Sequence, residues 1–289
     1  GLLMLLLGLS GLVRRAMRAL PMPIVMGMVA GVFLRFGLDL VRALHADIGI
    51  AAPMVAAWLG LGLVPALGRR LPPLIGALIV GVLAAVLLGR FDAAALGALE
   101  FARPVLQTPA WRAAALVELV VPLAITVLAV QNGQGFAVLK AAGHEPPVDA
   151  ITVACGAGAL ASAAVGAVST CLTGPTNAIL ASSGQRERQY TAGLCTGVLA
   201  VAFGLMAPAF TRLALAAPKP FIMALAGLAM LRVLQAAFVA SFRDRHALGA
   251  LVSFLVTVAD LALLNIGAAF WGLVAGFAVS WALERGDFR

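Results

Sequence analysis

Residues 168–184, VSTCLTGPTNAILASSG, decide how this chain folds, because they place helix-stopping chemistry in the middle of an apolar segment. Residues 168–172 suit an extended backbone. Thr173 offers an oxygen to free amides, and Gly174 permits an unusual turn. Pro175 fits the first turn of a new helix, where its missing N–H would have had no partner anyway. Helix formers follow at 178–181, and Gly184 is a C-terminal stop. The nine residues 175–183 make roughly 13 Å of helix at ~1.5 Å per residue, about half a bilayer core. A half-helix starting near the midplane would aim free N–H groups and a positive dipole end inward, a site for an anion. The competing reading is a continuous membrane helix with a proline kink. The residues alone leave both open.

Composition sets the class. The chain has 289 residues, 63% of them hydrophobic and 11% charged, with a mean hydropathy of +1.06. A soluble domain carries about 25% charge, so this is an all-α polytopic membrane protein. A barrel is excluded because the apolar runs are continuous, not alternating. The net charge of +8 does not point to nucleic acid, because Lys and Arg sit mostly in short loops between apolar runs. Cys155, Cys171 and Cys195 read as small packing residues without metal-ligand spacing. No catalytic set of paired acids, metal cluster or activated nucleophile is visible, so the chain does not read as an enzyme. Residue 1 is Gly and no signal peptide is seen, which suggests a cut N-terminus.

In chain order, residues 1–13 look like the tail of a helix, followed by Arg14, Arg15 and Arg18 in a loop. Spans are expected at 21–40, 48–67 and 71–88. A mixed connection, 91–112, comes next. A helix over 115–140 carries the polar insert Gln131-Asn132-Gly133-Gln134-Gly135. A small-residue helix over 148–165 is suited to close packing. The broken segment and spans at 190–213, 219–241, 248–263 and 266–283 follow, the last two joined tightly at Asn265. The total is ten complete spans and one partial. Twelve basic residues against six place the first loop and the C-terminus in the cytoplasm.

Two stretches match at an offset of 197: LPMPIVMGMVAGVFLR at 20–35 and APKPFIMALAGLAMLR at 217–232. Pro21, Pro23, Met26, Leu34 and Arg35 pair with Pro218, Pro220, Met223, Leu231 and Arg232. Chance likeness between two Leu/Ala-rich helices is the competing explanation. If the repeat is real, its copies start on opposite sides of the membrane, the inverted arrangement of secondary transporters. The offset then places roughly 80–85 residues, about three helices, before residue 1.

PLAITVLAVQNGQGFAVLKAAGHEPP (122–147), GAVSTCLTGPTNAILASSG (166–184) and RQYTAG (188–193) resemble the bacterial benzoate:proton symporter family, related in fold to nucleobase transporters. The likeness covers essentially the whole chain, and Gln131, Asn132 and Gly135 carry its sharpest signal. It implies a seven-plus-seven inverted-repeat fold with core and gate domains. The broken third and tenth helices would face each other, and the eighth would line the same site. Here 168–183 would be the tenth helix and 115–140 the eighth, while the third would precede residue 1. The regions would be 1–20 (end of a first-repeat core helix), 21–90 (gate), 91–114 (connection), 115–214 (second-repeat core) and 215–289 (gate). Nucleobase relatives carry a carboxylate on the eighth helix; here the position corresponds to Gln131. The motif TGPTNAI also lacks an acid. Both departures suit an anionic substrate, which a fixed carboxylate would repel.

Gln131, Asn132 and Gln134 are amides deep in a membrane helix, so they must face protein or a cavity. They bind substrate or serve as interhelical glue. Thr173, Gly174, Thr176 and Asn177 could present hydroxyl, amide and N–H groups to a carboxylate, or only cap the helix. Glu118 and Asp260 read as interfacial rather than proton carriers. Arg35 and Arg232 snorkel or pair across the gate, and His45, His144 and His246 are not ligands. The expectation is a secondary active transporter in a bacterial inner membrane, importing benzoate or a similar aromatic carboxylate by alternating access. The coupling ion is a proton, with no cofactor and no metal. The expected partners are the small carboxylate, the bilayer and a second copy in a homodimer, with no nucleic acid. A nucleobase or inorganic-anion transporter, a membrane-embedded enzyme and a channel are the alternatives.

Overall fold

The protein is described by a computed structural model over residues 1–92, 100–108, 110–113, 116–182, 184–243 and 245–288. Residues 93–99 of the connection, the expected helix start at Ala115 and the half-helix end at Ser183 lie outside the described residues. The regular structure described is helical throughout, apart from one isolated bridge between Leu263 and Ile266.

The first helices are α1 (Leu2–Ser10), α2 (Leu12–Ala19), α3 (Met22–Ala46), α4 (Ile48–Leu63), α5 (Pro65–Arg70) and α6 (Pro73–Leu87). A compound helix follows: a π-helical turn (Leu116–Val120), α7 (Val121–Ile125), a second π-helical stretch (Thr126–Asn132) and α8 (Gly133–Ala141). Then come α9 (Val148–Ala163), α10 (Gly174–Ala181), α11 (Gln189–Leu205), α12 (Ala207–Ala216), α13 (Lys219–Phe242), α14 (Ala247–Ala259) and α15 (Ala268–Leu283).

Several boundaries differ from the sequence expectation. Among the described residues three helices are long and apolar enough to cross a membrane: Met22–Ala46, Glu118–Ala141 and Lys219–Phe242. Five further apolar helices are shorter, so ten full-length spans are not seen. Arg14, Arg15 and Arg18 lie on α2 rather than in a loop. Gly11, left-handed at φ 70°, separates α1 from α2; Val13 and Met17 then pack against Phe136 and Val148, leaving the arginines the opposite face. The span expected at 190–213 is two helices, α11 and α12, meeting at 89°. Pro208 sits in the first turn of α12, where it withholds an N–H and biases its predecessor away from helix. Phe203 and Phe210 stack across the bend with ring centroids 4.4 Å apart. The helix expected to end at Leu263 stops at Ala259, with Asp260 left-handed at φ 57°.

The chain forms two compact units. The first comprises Gly1–Leu34, Pro104–Arg186 and Val233–Arg289; the second comprises Arg35–Arg103 and Glu187–Arg232. In the first, α3 meets α14 and α15 through glycine. A β-carbon built on Gly27 would collide with the Ala250 carbonyl, and one on Gly31 would lie 2.8 Å from the Thr257 side chain. Gly249 and Gly276 bring α14 and α15 backbone to backbone, with Ile24 of α3 against both. Gly27 with Gly31, and Gly272 with Gly276, are small residues four apart, the spacing that lets membrane helices approach closely. In the second unit, Leu40, Ile50, Met54, Ala77, Ala224 and Leu228 form a buried cluster with Trp58 and Phe221 packed on it. The Arg232 guanidinium lies 5.9 Å from the Trp58 ring centre, a cation–π contact.

The offset of 197 recurs in the helices. It carries the start of α3 at Met22 to the start of α13 at Lys219, α4 to residues 245–260 beside α14, and α6 to residues 270–284 beside α15. Pro21 opens α3 by accepting from the N–H groups of Ile24 and Val25, and Pro218 opens α13 by accepting from Phe221 and Ile222. The first half of α3 packs on α14 and α15 in one unit; the first half of α13 packs on α4 and α6 in the other.

Candidate functional site

Residues 167–173 are not helical, and α10 starts at Gly174 with Pro175 in its first turn. Of the two readings open in sequence, the break is the one observed. Thr173 is extended at φ −85° and ψ 141°. Its hydroxyl makes no capping bond, contrary to expectation. Instead the Asn177 amide Nδ2 donates to the Thr173 carbonyl at 2.7 Å, and the Asn177 N–H reaches the same oxygen at 3.3 Å. The carboxamide one turn in can bond this carbonyl directly, which pins the first turn from within. The eight residues of α10 span about 12 Å.

The extended stretch is held on two sides. The Thr170 hydroxyl donates to the Cys155 carbonyl of α9 at 2.7 Å. A β-carbon on Gly158 would lie 2.6 Å from that hydroxyl, so the small residues of α9 admit the stretch. On the other side, Asn132 Oδ1 accepts the Leu172 N–H at 2.7 Å. This orphan N–H lies in a segment with no ladder or helix to satisfy it.

Asn132 is fully buried. It ends the π-helical stretch Thr126–Asn132, a local widening that recurs at functional sites. With Oδ1 committed to an N–H donor, the other amide atom is Nδ2. That donor has no oxygen or nitrogen partner among the described residues, and the Cys155 thiol of α9 is the polar side chain that approaches it. Gln134 is also buried; its Cβ and Oε1 lie 2.9 and 3.0 Å from a β-carbon built on Gly174, with Phe33 Cζ at 3.3 Å. One on Gly135 would sit 2.5 Å from the Leu172 carbonyl oxygen. Glycine at 135 and 174 thus lets the compound helix and the broken segment touch.

Asn132, Gln134 and Gly174 are therefore brought together, with Thr173 half-buried beside them. Gln131 is half-buried and Thr176 is exposed. Sequence reasoning missed Phe33 and the Leu172 N–H. The first carried no signal beyond an apolar helix, and the second is a backbone group. A separate cavity of about 310 Å³, lined by apolar residues including Leu7, Met17, Ile125, Leu128 and Phe270, offers no group to bind a charge.

Among known proteins, the family model described as benzoate membrane transport protein matches residues 1–282. The chain is 33% identical over 278 residues to the inner membrane protein YdcO of Escherichia coli (strain K12), covering 95% of this chain and 70% of that protein. It is 28% identical over 286 residues to the benzoate membrane transport protein of Acinetobacter baylyi (strain ATCC 33305 / BD413 / ADP1), covering 97% and 71%. No solved structure matches.

Proposed function

Because the chain belongs to the benzoate membrane transport protein family, multi-pass inner-membrane transporters and not enzymes, we propose that it takes up benzoate or a similar aromatic carboxylate with protons, by alternating access. One observation carries this reading: the buried Asn132, anchored through Oδ1 to the N–H of Leu172, two residues before a half-helix begins, keeps Nδ2 as a donor that no oxygen or nitrogen of the described residues fills. An unpaired amide donor buried in a membrane protein costs free energy unless a ligand acceptor fills it. A carboxylate is that acceptor, and the free N–H groups and dipole at the start of α10 add to its attraction. Gln134 and Thr173 contact the same group, Gln131, Thr176 and Asn177 complete the lining, and the Phe33 ring beside Gly174 meets the aromatic face of the substrate.

Alternating access follows from an inverted repeat. The recurrence of helix starts at 197 residues, the matching Pro21 and Pro218 openings and the exchanged packing of α3 and α13 support it. The core, residues 1–20 and 115–214, moves against the gate, residues 21–90 and 215–289, with the C-terminus cytoplasmic and a homodimer as the assembly. Uptake of radiolabelled benzoate by cells expressing the protein tests the reading. Saturable uptake that a protonophore abolishes, and that unlabelled uracil or sulfate does not compete, is the expected result. Indifference to the protonophore, or competition by uracil or sulfate as strong as by benzoate, contradicts it.

A further inference from the structure

The connection between α14 and α15 is strained and anchored. Leu264 and Asn265 are both left-handed, at φ 53° and 61°. Leu263 and Ile266 close the turn by exchanging backbone hydrogen bonds of 3.1 and 2.9 Å. Two left-handed central residues define a type I′ turn, in which Asn is at ease and a bulky Leu is an outlier. The Trp271 indole N–H donates to the Leu263 carbonyl at 3.1 Å and holds the turn from α15. The turn in turn reaches another element: Asn265 Nδ2 donates to the Glu118 carbonyl at 3.1 Å.

Glu118 lies four residues before Pro122. In a regular helix the residue at 122 would return its N–H to that carbonyl, and proline has none to give. The helix is π-helical over Leu116–Val120, immediately before this point. A side-chain donor from the turn thus reaches the carbonyl that the proline cannot serve.

We propose that Asn265 is a positioning residue: it supplies the hydrogen bond that Pro122 withholds from Glu118, and so ties the α14–α15 hairpin to the entry of the helix that carries Asn132 and Gln134. The tie fixes where that helix starts relative to the hairpin, while the amides lie roughly 20 Å further along. Its loss therefore slows turnover and leaves the binding pocket intact.

The test is a double-mutant cycle. Asn265→Gly and Asn265→Asp keep the left-handed conformation and remove the donor; Pro122→Ala gives Glu118 a backbone donor and makes Asn265 redundant. Melting of the purified protein in detergent uses no substrate. There, Asn265→Gly lowers Tm by about 2 °C in the parent and by less than half that in the Pro122→Ala background. Equal losses in both backgrounds, or none in the parent, overturn the tie. In benzoate uptake, Asn265→Gly and Asn265→Asp lower Vmax about fivefold with KM within about twofold, and neither lowers it further once Pro122→Ala is present. A rise in KM at constant Vmax, an unchanged Vmax, or additive losses overturn the positioning role. This arm rests on the transport reading: a coupled melting cycle without any benzoate uptake would refute the substrate and leave the tie standing.

Discussion

Two regions of the first unit bring backbones within touching distance by opposite means. Where α3 crosses α14 and α15, the helices stay intact and glycines at 27, 31, 249, 272 and 276 remove the side chains that would hold them apart. Where the compound helix meets residues 167–173, glycines at 135 and 174 do the same, but the backbone is opened on both sides: a π-helical stretch on one, a non-helical stretch on the other. The first contact keeps its helices regular and buries only small hydroxyl side chains among its apolar ones: Thr257 donates back to the Ser253 carbonyl at 2.7 Å, while Ser253 Oγ has no partner among the described residues. The second leaves N–H groups to be satisfied by side chains, and one side-chain donor is left over. Tight packing in a membrane therefore needs only small residues; freeing backbone N–H groups for a side chain to bond needs the regular structure to be broken as well.

This contrast can be broken by substitution, most severely at the intact crossing. Gly27→Val drives side-chain atoms into the Ala250 carbonyl, backbone that cannot step aside, and is expected to cost about 3 kcal/mol in reversible unfolding from mixed micelles. Gly135→Ala meets the Leu172 carbonyl at 2.5 Å, but the extended stretch can shift, and the expected cost is about 2 kcal/mol. Gly133→Ala, with nothing nearer than the Leu128 carbonyl at 4.0 Å, is the control and stays within about 0.5 kcal/mol. A Gly135→Ala protein as stable as Gly133→Ala would remove the close approach from the account. Asn132→Leu strands the Leu172 N–H, and about 1.5 kcal/mol is expected from the unpaired donor.

The smallest effect lies outside the membrane-spanning helices. Burial pushes the Glu284 carboxyl up, but the N–H groups of Gly249 and Leu248 and the Ser280 hydroxyl outweigh it and hold the carboxyl below its ordinary range. The carboxylate oxygens accept from Leu248 at 2.8 Å and Gly249 at 3.0 Å, capping α14. A folded-state value depressed below the unfolded one stabilises above the unfolded carboxylate range, near pH 4.3, and that stability is lost as pH falls through the folded value. Melting measured from pH 7 down to pH 3 should therefore fall less steeply in Glu284→Gln than in the parent. Parallel curves would show that the cap does not titrate.

What the sequence made legible follows the strength of its punctuation. Gly174-Pro175 marked where a break or a kink would fall without choosing between them, and the small residues of the 148–165 stretch announced the close packing seen at Gly156 and Gly158. Pro208 carried the same chemistry but sat in an unbroken apolar run, so the 89° bend was read as one span. The π-helical stretches have no residue signature of their own; Pro122 is the single trace of one. The connection at 261–267 reads LALLNIG, apolar enough to pass for helix, and the left-handed Leu264 is set by the bonds around it rather than by its own preference. Thr173 was the natural cap by type, yet Asn177 reached the same turn from inside the helix. At the 263–266 turn a partner from α15 decided what local preference had left undetermined; at Thr173 the deciding partner came from the next turn of the same helix.

The central claim is that Asn132 Nδ2 is held ready for an anion. Binding of radiolabelled benzoate to the purified protein, compared between the parent and Asn132→Asp, tests it most directly. The variant keeps an oxygen for the Leu172 N–H and replaces the amide donor with an acid. The account predicts affinity at least about tenfold weaker with Tm within about 2 °C of the parent. Unchanged affinity in a protein of unchanged stability would contradict it.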